Sequence, residues 1–180
     1  MIYLIAHMVY TDAMITIFAF GPIYAANTFG FTLQELALYG ITLTFCAAFG
    51  AIAFGWMDDY FGAKRTLLLV LMGTILLTIP FVFITTKTSY WIIGILKGIL
   101  VGPILAASRS LMVRIIDPAR SNEMFGLYAF SGKVTAFIGP WIFGISTFAF
   151  HSQRVGIAST LLFFFLGAIL LTFVKEEVTA

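Results

Sequence analysis

The sequence predicts an all-α integral membrane protein built as a bundle of six transmembrane helices. Hydrophobic residues make up 61% of the 180 residues, charged residues make up 10%, and the mean hydropathy is +1.05. A soluble domain of this length could not bury so much apolar surface. Apolar runs long enough to cross about 30 Å of hydrocarbon recur along the chain. A β-barrel is disfavoured because its strands would alternate polar and apolar residues, whereas these runs are continuously apolar.

The apolar runs divide the chain, residues 1–180, into six predicted helices within a single domain. Short polar segments separate the runs, and each run is close to the roughly 20 residues that a membrane-spanning helix needs. In chain order the predicted helices are Tyr3 to Ala26, Leu36 to Met57, Thr66 to Thr85, Tyr90 to Ile116, Met124 to Phe150 and Val155 to Val174.

The residues at the joints and inside the helices support this division. Gly30 interrupts the first polar segment, and Asp117-Pro118 is typical of an N-cap followed by proline at the first helical position. Gly139-Pro140 lies inside the fifth predicted helix, removes one backbone hydrogen bond and therefore predicts a kink there.

A row of small residues marks one face of the fourth predicted helix. Gly94, Gly98 and Gly102 recur at intervals of four, which places them on one side of the helix. Without side chains on that side, another helix backbone can approach closely. We therefore predict a close helix contact at these three glycines.

The distribution of Lys and Arg among the loops predicts the orientation. Basic residues concentrate in the second and fourth loops and after the last helix, whereas the other side offers only Lys87 and Arg154. Because cytoplasmic loops carry the excess of basic residues, both termini are expected on the cytoplasmic side. The expected location is the cell (inner) membrane. The residues that set this orientation are Lys64, Arg65, Arg114, Arg120 and Lys175.

The start of the chain shows no signal peptide. Met1-Ile2-Tyr3 runs straight into the first apolar segment without a basic region before it. We therefore expect further sequence upstream.

Ionisable residues inside apolar segments indicate a candidate pathway, because they are costly in lipid and normally face a cavity or a partner. Four are candidates for a substrate or ion pathway: Asp12, Lys97, Arg109 and Lys133. Three of them lie deep in their helices, whereas Lys97 lies near the start of the fourth helix, where reaching outward to the interface is an equal alternative. A buried structural pair would explain an Asp and a Lys equally well. His7 and Arg114 lie nearer to helix ends, where we expect them to reach the interface instead.

The charge balance of these four residues bears on the substrate. One carboxylate against three basic groups leaves an excess of positive charge if all are ionised. A carboxylate-bearing solute would be stabilised by that excess. The sequence does not decide whether transport is driven by protons through Asp12 or by the solute gradient.

The stretch GWMDDYFGAKR, from Gly55 to Arg65, concentrates charge in the second loop. It could simply be a charged cytoplasmic loop, but its spacing resembles the loop motif between helices two and three in each half of the major facilitator superfamily. The matching residues are Gly55, Asp59, Gly62, Lys64 and Arg65, while Tyr60 and Ala63 stand where the family usually has Arg or Lys. The resemblance implies that this loop is a latch, in which the Asp and the basic residues hold a neighbouring helix in one conformation of the transport cycle.

A second stretch, Ser108 to Gly144, resembles vacuole-effluxer-like members of the same superfamily. The two resemblances imply half of a major facilitator superfamily fold, corresponding to its carboxyl-terminal six helices. They also imply that a second six-helix half, from the same gene or a dimer partner, completes a secondary transporter with solute bound between the halves. The implied substrate is an amino acid, with its carboxylate near Lys133 or Arg109 and its ammonium near Asp12.

Other functional classes find little support in the sequence. The net charge is only +2, and no basic stripe interleaved with aromatics predicts nucleic-acid binding. Two His residues and one Cys show no metal-ligand spacing, and no nucleophile elbow or phosphate-binding loop is present, so we expect no catalytic residue, metal or cofactor. The alternative function that remains open is a non-transporting membrane assembly or regulatory subunit derived from a transporter half.

Overall fold

The computed structural model of the protein describes residues 1–116 and 120–174, which form seven α-helices and contain no strand. In chain order the helices are α1 (Ile2–Phe29), α2 (Leu33–Phe61), α3 (Ala63–Phe83), α4 (Lys87–Ile115), α5 (Ser121–Val134), α6 (Ile138–Phe150) and α7 (Gln153–Thr172). Helices α5 and α6 together make one apolar span, so the described residues contain six candidate membrane spans. The prediction of a six-helix membrane bundle is confirmed. The predicted cap at Asp117 and Pro118, and Lys175, lie outside the described residues.

Four helices, α2 to α5, begin three residues earlier than the apolar pattern predicts. The cause is polar first turns, which a search for apolar runs leaves out. At the start of α2, the Thr32 hydroxyl accepts the Glu35 N–H at 3.3 Å while the Glu35 carboxylate accepts the Thr32 N–H at 2.8 Å. This reciprocal capping box stabilises a helix start that carries little apolar surface.

The six spans alternate in direction, so the bundle has two distinct ends. The terminal end holds Met1, the turn at Gly62, the end of α4, the start of α5, and Val174. The opposite end holds the joints from α1 to α2, from α3 to α4 and from α6 to α7. Hydrogen bonds between distant residues support this arrangement: Lys64 reaches the end of α7, and Lys87 reaches the start of α2.

The fifth predicted helix, Met124 to Phe150, is not continuous. It ends as α5 at Val134, and α6 starts at Ile138 after a three-residue turn. We expected a kink at Gly139-Pro140, but the break lies earlier because proline has no N–H for the carbonyl four residues before it, and its ring clashes with that carbonyl. Pro140 therefore occupies the first turn of α6, where its missing donor costs nothing.

Glycines set the packing of α4 on α2. An added Cβ at Gly102 would lie 1.9 Å from the Ala47 carbonyl oxygen, and one at Gly94 would lie 1.8 Å from the Tyr39 hydroxyl. At Gly98 an added Cβ would meet the Leu43 side chain at 2.8 Å. The small-residue face of α4 is therefore the surface on which α2 packs.

In the rest of the bundle, α7 is the helix that lies between α1 and α3. Helix α7 lies against α1, α3 and α6, while α3 lies between α4 and α7. Few residues of α2 and α5 are buried, namely Tyr39 and Gly50 in α2 and Ser131 in α5. Large apolar side chains are exposed along these helices and α6, among them Phe45, Phe49, Trp56, Phe130, Trp141 and Phe148.

We expect Gly102→Ala to destabilise the chain, because the added methyl group meets a backbone carbonyl that cannot rotate away. Overpacking of this kind costs about 1–3 kcal/mol, and it should lower the midpoint of thermal unfolding measured by circular dichroism in detergent micelles. Gly55→Ala is the matched control, because no other atom lies within 4 Å of an added Cβ there. Equal midpoints for the two variants would contradict the close contact of α4 with α2.

Candidate functional site

A cavity of about 380 Å³ lies between α1, α2 and α4, with α3 and α7 contributing to its walls. Most of the lining side chains are apolar or aromatic, including Ile17, Phe18, Leu43, Tyr39, Phe81 and Tyr90. A mostly apolar cavity with few polar groups is the usual form of a small-molecule site. We take this cavity as the candidate site.

Lys97 is the one charged residue among those that line the cavity in the described part of the chain. Its side chain is 9% exposed, and its Nζ has no hydrogen-bond partner among the described residues. The Nζ atom lies 4.5 Å from the centre of the Phe81 ring, within the range of a cation–π contact. A positive charge on a buried amine without a counter-ion is costly, so an anionic group placed beside Nζ would stabilise the charged form of Lys97.

Asp12 lies elsewhere, at the contact of α1 with the start of α6. The carboxylate is 2% exposed, and its Oδ2 accepts the Gly139 N–H at 2.8 Å. An added Cβ at Gly139 would lie 2.1 Å from the Thr16 hydroxyl, so glycine is needed for α6 to lie this close to α1. The first N–H groups of a helix have no partner within the helix, and Asp12 supplies one for α6. Its Oδ1 has no hydrogen-bond partner in the described ranges.

Arg109 and Lys133 are exposed, the first on α4 and the second near the end of α5. Neither lines the cavity. The structure therefore does not bring the four candidate pathway residues together: Lys97 is in the cavity, Asp12 holds α6, and the two other basic residues lie on the surface of this half. Across residues 1–116 and 120–174, no group of three His, Cys, Asp or Glu side chains could hold a metal ion.

His7, which the sequence suggested would reach the interface, is 6% exposed and lies inside the bundle. Its Nδ1 lies 2.9 Å from the Ser131 hydroxyl of α5, and its ring centre is 4.1 Å from that of Tyr128. This correction has a simple reason: closeness to a helix end does not tell which face of the helix a residue occupies. A usable signal was the spacing of Tyr3, His7 and Tyr10, which places three polar aromatic residues on one helical face.

The polar contacts around His7 extend to α4. Tyr10 and Ser108 hydroxyls lie 2.7 Å apart, and the Tyr3 hydroxyl donates to the Ser108 carbonyl. Ser108 lies next to Arg109 on α4. Helix α1 is thus joined by side-chain hydrogen bonds to both α4 and α5 near the terminal end of the bundle.

The loop with the latch spacing forms a turn of one residue. Gly62, with φ of 88°, lies between α2 and α3, and this φ favours glycine. Lys64 donates hydrogen bonds to the carbonyls of Thr172, at 2.9 Å, and Val174, and thereby caps the end of α7. Gly55 is not part of the turn and lies within α2.

The acidic residues of this loop differ in their surroundings. Asp58 pairs with Arg114 of α4 at 3.6 Å, and its carbonyl also accepts a hydrogen bond from Arg114. Asp59 and Arg65 are exposed. Within the described part of the chain, no hydrogen bond or ion pair joins Asp59 to another helix. The latch spacing therefore falls on Asp59, while the contact with a neighbouring helix in this half is made by Asp58.

Comparisons with known proteins add a family assignment to this geometry. The family model described as Vacuole effluxer Atg22 like matches residues 1–179. The chain is 25% identical over 176 residues to the uncharacterized MFS-type transporter YxiO of Bacillus subtilis, covering 98% of this chain and 41% of that protein. It is 27% identical over 183 residues to autophagy-related protein 22 of Candida glabrata, covering 96% of this chain and 32% of that protein.

A third relative shows the same proportion. Autophagy-related protein 22-2 of Aspergillus niger is 25% identical over 184 residues, covering 94% of this chain and 30% of that protein. The chain thus spans about two fifths of the length of the bacterial relative and about a third of the fungal ones.

We expect Asp12→Ala to destabilise the chain more than Asp12→Asn, because the Asn amide oxygen can still accept the Gly139 N–H. Loss of a helix cap costs about 0.5–2 kcal/mol. The measurements are thermal unfolding in micelles and the hydrogen-exchange rate at the Gly139 amide, which should rise in the Ala variant only. An unchanged exchange rate at Gly139 in the Ala variant would show that Asp12 does not act as the cap.

Proposed function

Because the chain belongs to the vacuole effluxer Atg22-like family, we propose that it forms the carboxyl-terminal half of a secondary transporter that moves a small solute across a membrane. The single observation that carries a solute site is the cavity between α1, α2 and α4, into which Lys97 brings a buried amine that has no hydrogen-bond partner among the described residues. In transporters built from repeats, solute binds near the middle of the membrane where the repeats meet, and access alternates between the two sides.

The proposed substrate is an amino acid, and the proposed contact for its carboxylate is Lys97. The hypothesis from sequence assigned the carboxylate to Lys133 or Arg109, but neither lines the cavity. A carboxylate placed at Nζ would supply the missing counter-ion, and an apolar side chain of the solute would lie among the aromatic and aliphatic residues of the wall. Asp12, Arg109 and Lys133 stay proposed pathway residues of the complete transporter, in which the second half adds its own groups.

The proposed partner is a second six-helix half, either from the same gene or from another chain. Helices α2, α5 and α6 expose large apolar side chains such as Phe49, Trp56 and Trp141. The relatives are two to three times as long as this chain, which leaves room for a second half of similar size. The surrounding lipid bilayer would cover the remaining apolar surface.

The proposed orientation places the terminal end of the bundle in the cytoplasm. Lys64, Arg65, Arg114 and Arg120 all lie at this end, whereas Lys87 and Arg154 lie at the opposite end. The excess of basic residues at the terminal end supports this orientation through the positive-inside rule.

The proposed latch divides its work between two aspartates. Asp58 holds α2 to α4 within this half through Arg114. Asp59 is exposed at the same end, so it is available for a contact with the second half. The amine of Lys64 is held by carbonyls at the end of α7, and this contact fixes the position of the turn that follows the two aspartates.

We expect Lys97→Met to reduce amino-acid flux at least about tenfold in vesicles that carry the complete transporter, because losing one charge-assisted hydrogen bond removes about 1.5–3 kcal/mol. Lys97→Arg keeps the charge and should retain part of the flux. Lys87→Met is the control, because Lys87 belongs to the same half but lies outside the cavity, at the opposite end of the bundle, where it pairs with Glu35. Unchanged flux in Lys97→Met, or transport of sugars or organic cations instead, would contradict the proposed site or the substrate class.

We expect the two loop aspartates to separate stability from transport. Asp58→Asn removes a surface ion pair worth about 0–1 kcal/mol and should lower the thermal stability of the chain slightly. Asp59→Asn should leave stability unchanged but reduce transport by the complete protein more than Asp58→Asn does. Equal transport rates for the two variants at equal expression would remove the distinction.

A further inference from the structure

We propose that His7 is the proton-binding residue of this half, and that its protonation separates α5 from α1 during the transport cycle. The inference rests on the proposed transport function but concerns residues outside the Lys97 cavity. Its basis is the polar contact between His7, Ser131 and Tyr128, together with the break in the chain that follows α5.

The hydrogen bonds around Ser131 assign the tautomer of His7. The Ser131 hydroxyl donates to the Tyr128 carbonyl at 2.7 Å, so its oxygen is left to accept from His7 Nδ1. The neutral ring therefore carries its hydrogen on Nδ1 and its lone pair on Nε2. A proton arriving at Nε2 forms an imidazolium without breaking the bond to Ser131.

The surroundings of His7 do not stabilise that positive charge with a counter-ion. Its ring lies among the rings of Tyr3, Tyr10 and Tyr128, with centre-to-centre distances of 6.2, 5.4 and 4.1 Å. An added Cβ at Gly132 would lie 3.2 Å from Cε1, so the α5 backbone closes one side of the ring. A buried charge without a carboxylate partner is costly, and admitting water lowers that cost.

Within the described part of the chain, the charged residues of α1 and of the helices packed near His7 agree with the absence of a counter-ion for its ring. On α1 itself Asp12 is engaged with Gly139. On α5, Glu123 and Lys133 are exposed, as is Arg109 on α4. Helix α6 carries no charged residue, and the charged residue of α7, Arg154, lies at the opposite end. Protonation of His7 therefore favours a conformation in which α5 moves away and the ring becomes hydrated.

The contacts of α1 with its other neighbours contain no histidine and do not respond to pH in the same way. The Ser108 hydroxyl donates to the Ile104 carbonyl, so Tyr10 donates to Ser108 in turn. These are bonds between neutral groups, and they hold α1 to α4. Helix α6 is held to α1 by the bond from Gly139 to Asp12.

The break at residues 135–137 lets α5 move without α6. It begins four residues after Ser131, and α6 starts again at Ile138. Ser131 is the buried residue of α5 in the described chain, and it contacts His7 beside the ring of the half-buried Tyr128. Helix α5 is therefore a short segment, hinged at one end, whose buried polar contact with α1 is made to a residue that binds protons.

The test uses the complete transporter in vesicles, with equal pH on both sides, and compares wild type with His7→Asn. The Asn amide N–H can replace Nδ1 as the donor to Ser131, but it cannot be protonated. We expect wild-type flux to rise at least about tenfold as the pH falls from about 7.5 to about 4.5, a window that reaches below the usual histidine range because the buried ring gains no counter-ion when it is protonated. Flux through His7→Asn should vary less than about twofold over this range. His151→Asn is the matched control, because His151 is exposed, lies at the opposite end and has φ of 48°, which Asn tolerates.

Two further measurements separate the possible failures. Exchange of labelled for unlabelled amino acid at fixed pH should persist in His7→Asn. If neither wild type nor His7→Asn exchanges amino acids, the proposed transport function itself is overturned. Ser131→Ala keeps the histidine but removes the acceptor of the Nδ1 hydrogen, so the midpoint of the pH dependence should move to lower pH. A wild-type pH profile in His7→Asn, pH-independent flux in wild type, or an unmoved midpoint in Ser131→Ala would each overturn the proton site.

Discussion

The hydrogen bond from the Gly139 N–H to the Asp12 carboxylate connects the interrupted span to the rest of the bundle. Within a membrane, backbone groups that leave a helix must find partners inside the protein, because lipid supplies none. Pro140 forces the interruption, Gly139 lets α6 lie close to α1, and Asp12 satisfies the first free donor of the new helix. This contact holds α6 on α1, and α7 supports α6 from another side.

A second group of contacts fixes α2 on α4 along its whole length. In the middle of the pair, Gly102 of α4 lies against the α2 backbone at Ala47, and Gly98 and Gly94 lie against the side chains of Leu43 and Tyr39. At the two ends, Asp58 pairs with Arg114 and Glu35 pairs with Lys87 at 2.8 Å. The cavity lies between this fixed pair and α1, so any change in the position of α1 relative to the pair changes the shape of the cavity.

Composition and spacing were enough to predict the six spans and the close contact at Gly94, Gly98 and Gly102, because both depend on local pattern. The break was placed too late because the effect of Pro140 falls on the carbonyl four residues earlier. The arrangement of the site was not accessible for a different reason. A charge inside an apolar run identifies Asp12 and Lys97 as unusual, although the position of Lys97 near the start of its helix equally predicted a side chain that reaches outward. The surroundings of the two residues, a backbone N–H of α6 and the ring of Phe81, come from distant parts of the sequence. The same holds for His7, whose partner Ser131 lies 124 residues away.

The contact between Lys64, next to the turn at Gly62, and the end of α7 joins two segments that are synthesised at different times. Lys64 and Thr172 are 108 residues apart in sequence, so the ribosome completes four further helices before the carbonyls that Lys64 binds exist. The bond between the residue next to the α2–α3 turn and the end of α7 can therefore form only after the whole of this half has been synthesised, which makes it one of the last contacts available to the bundle.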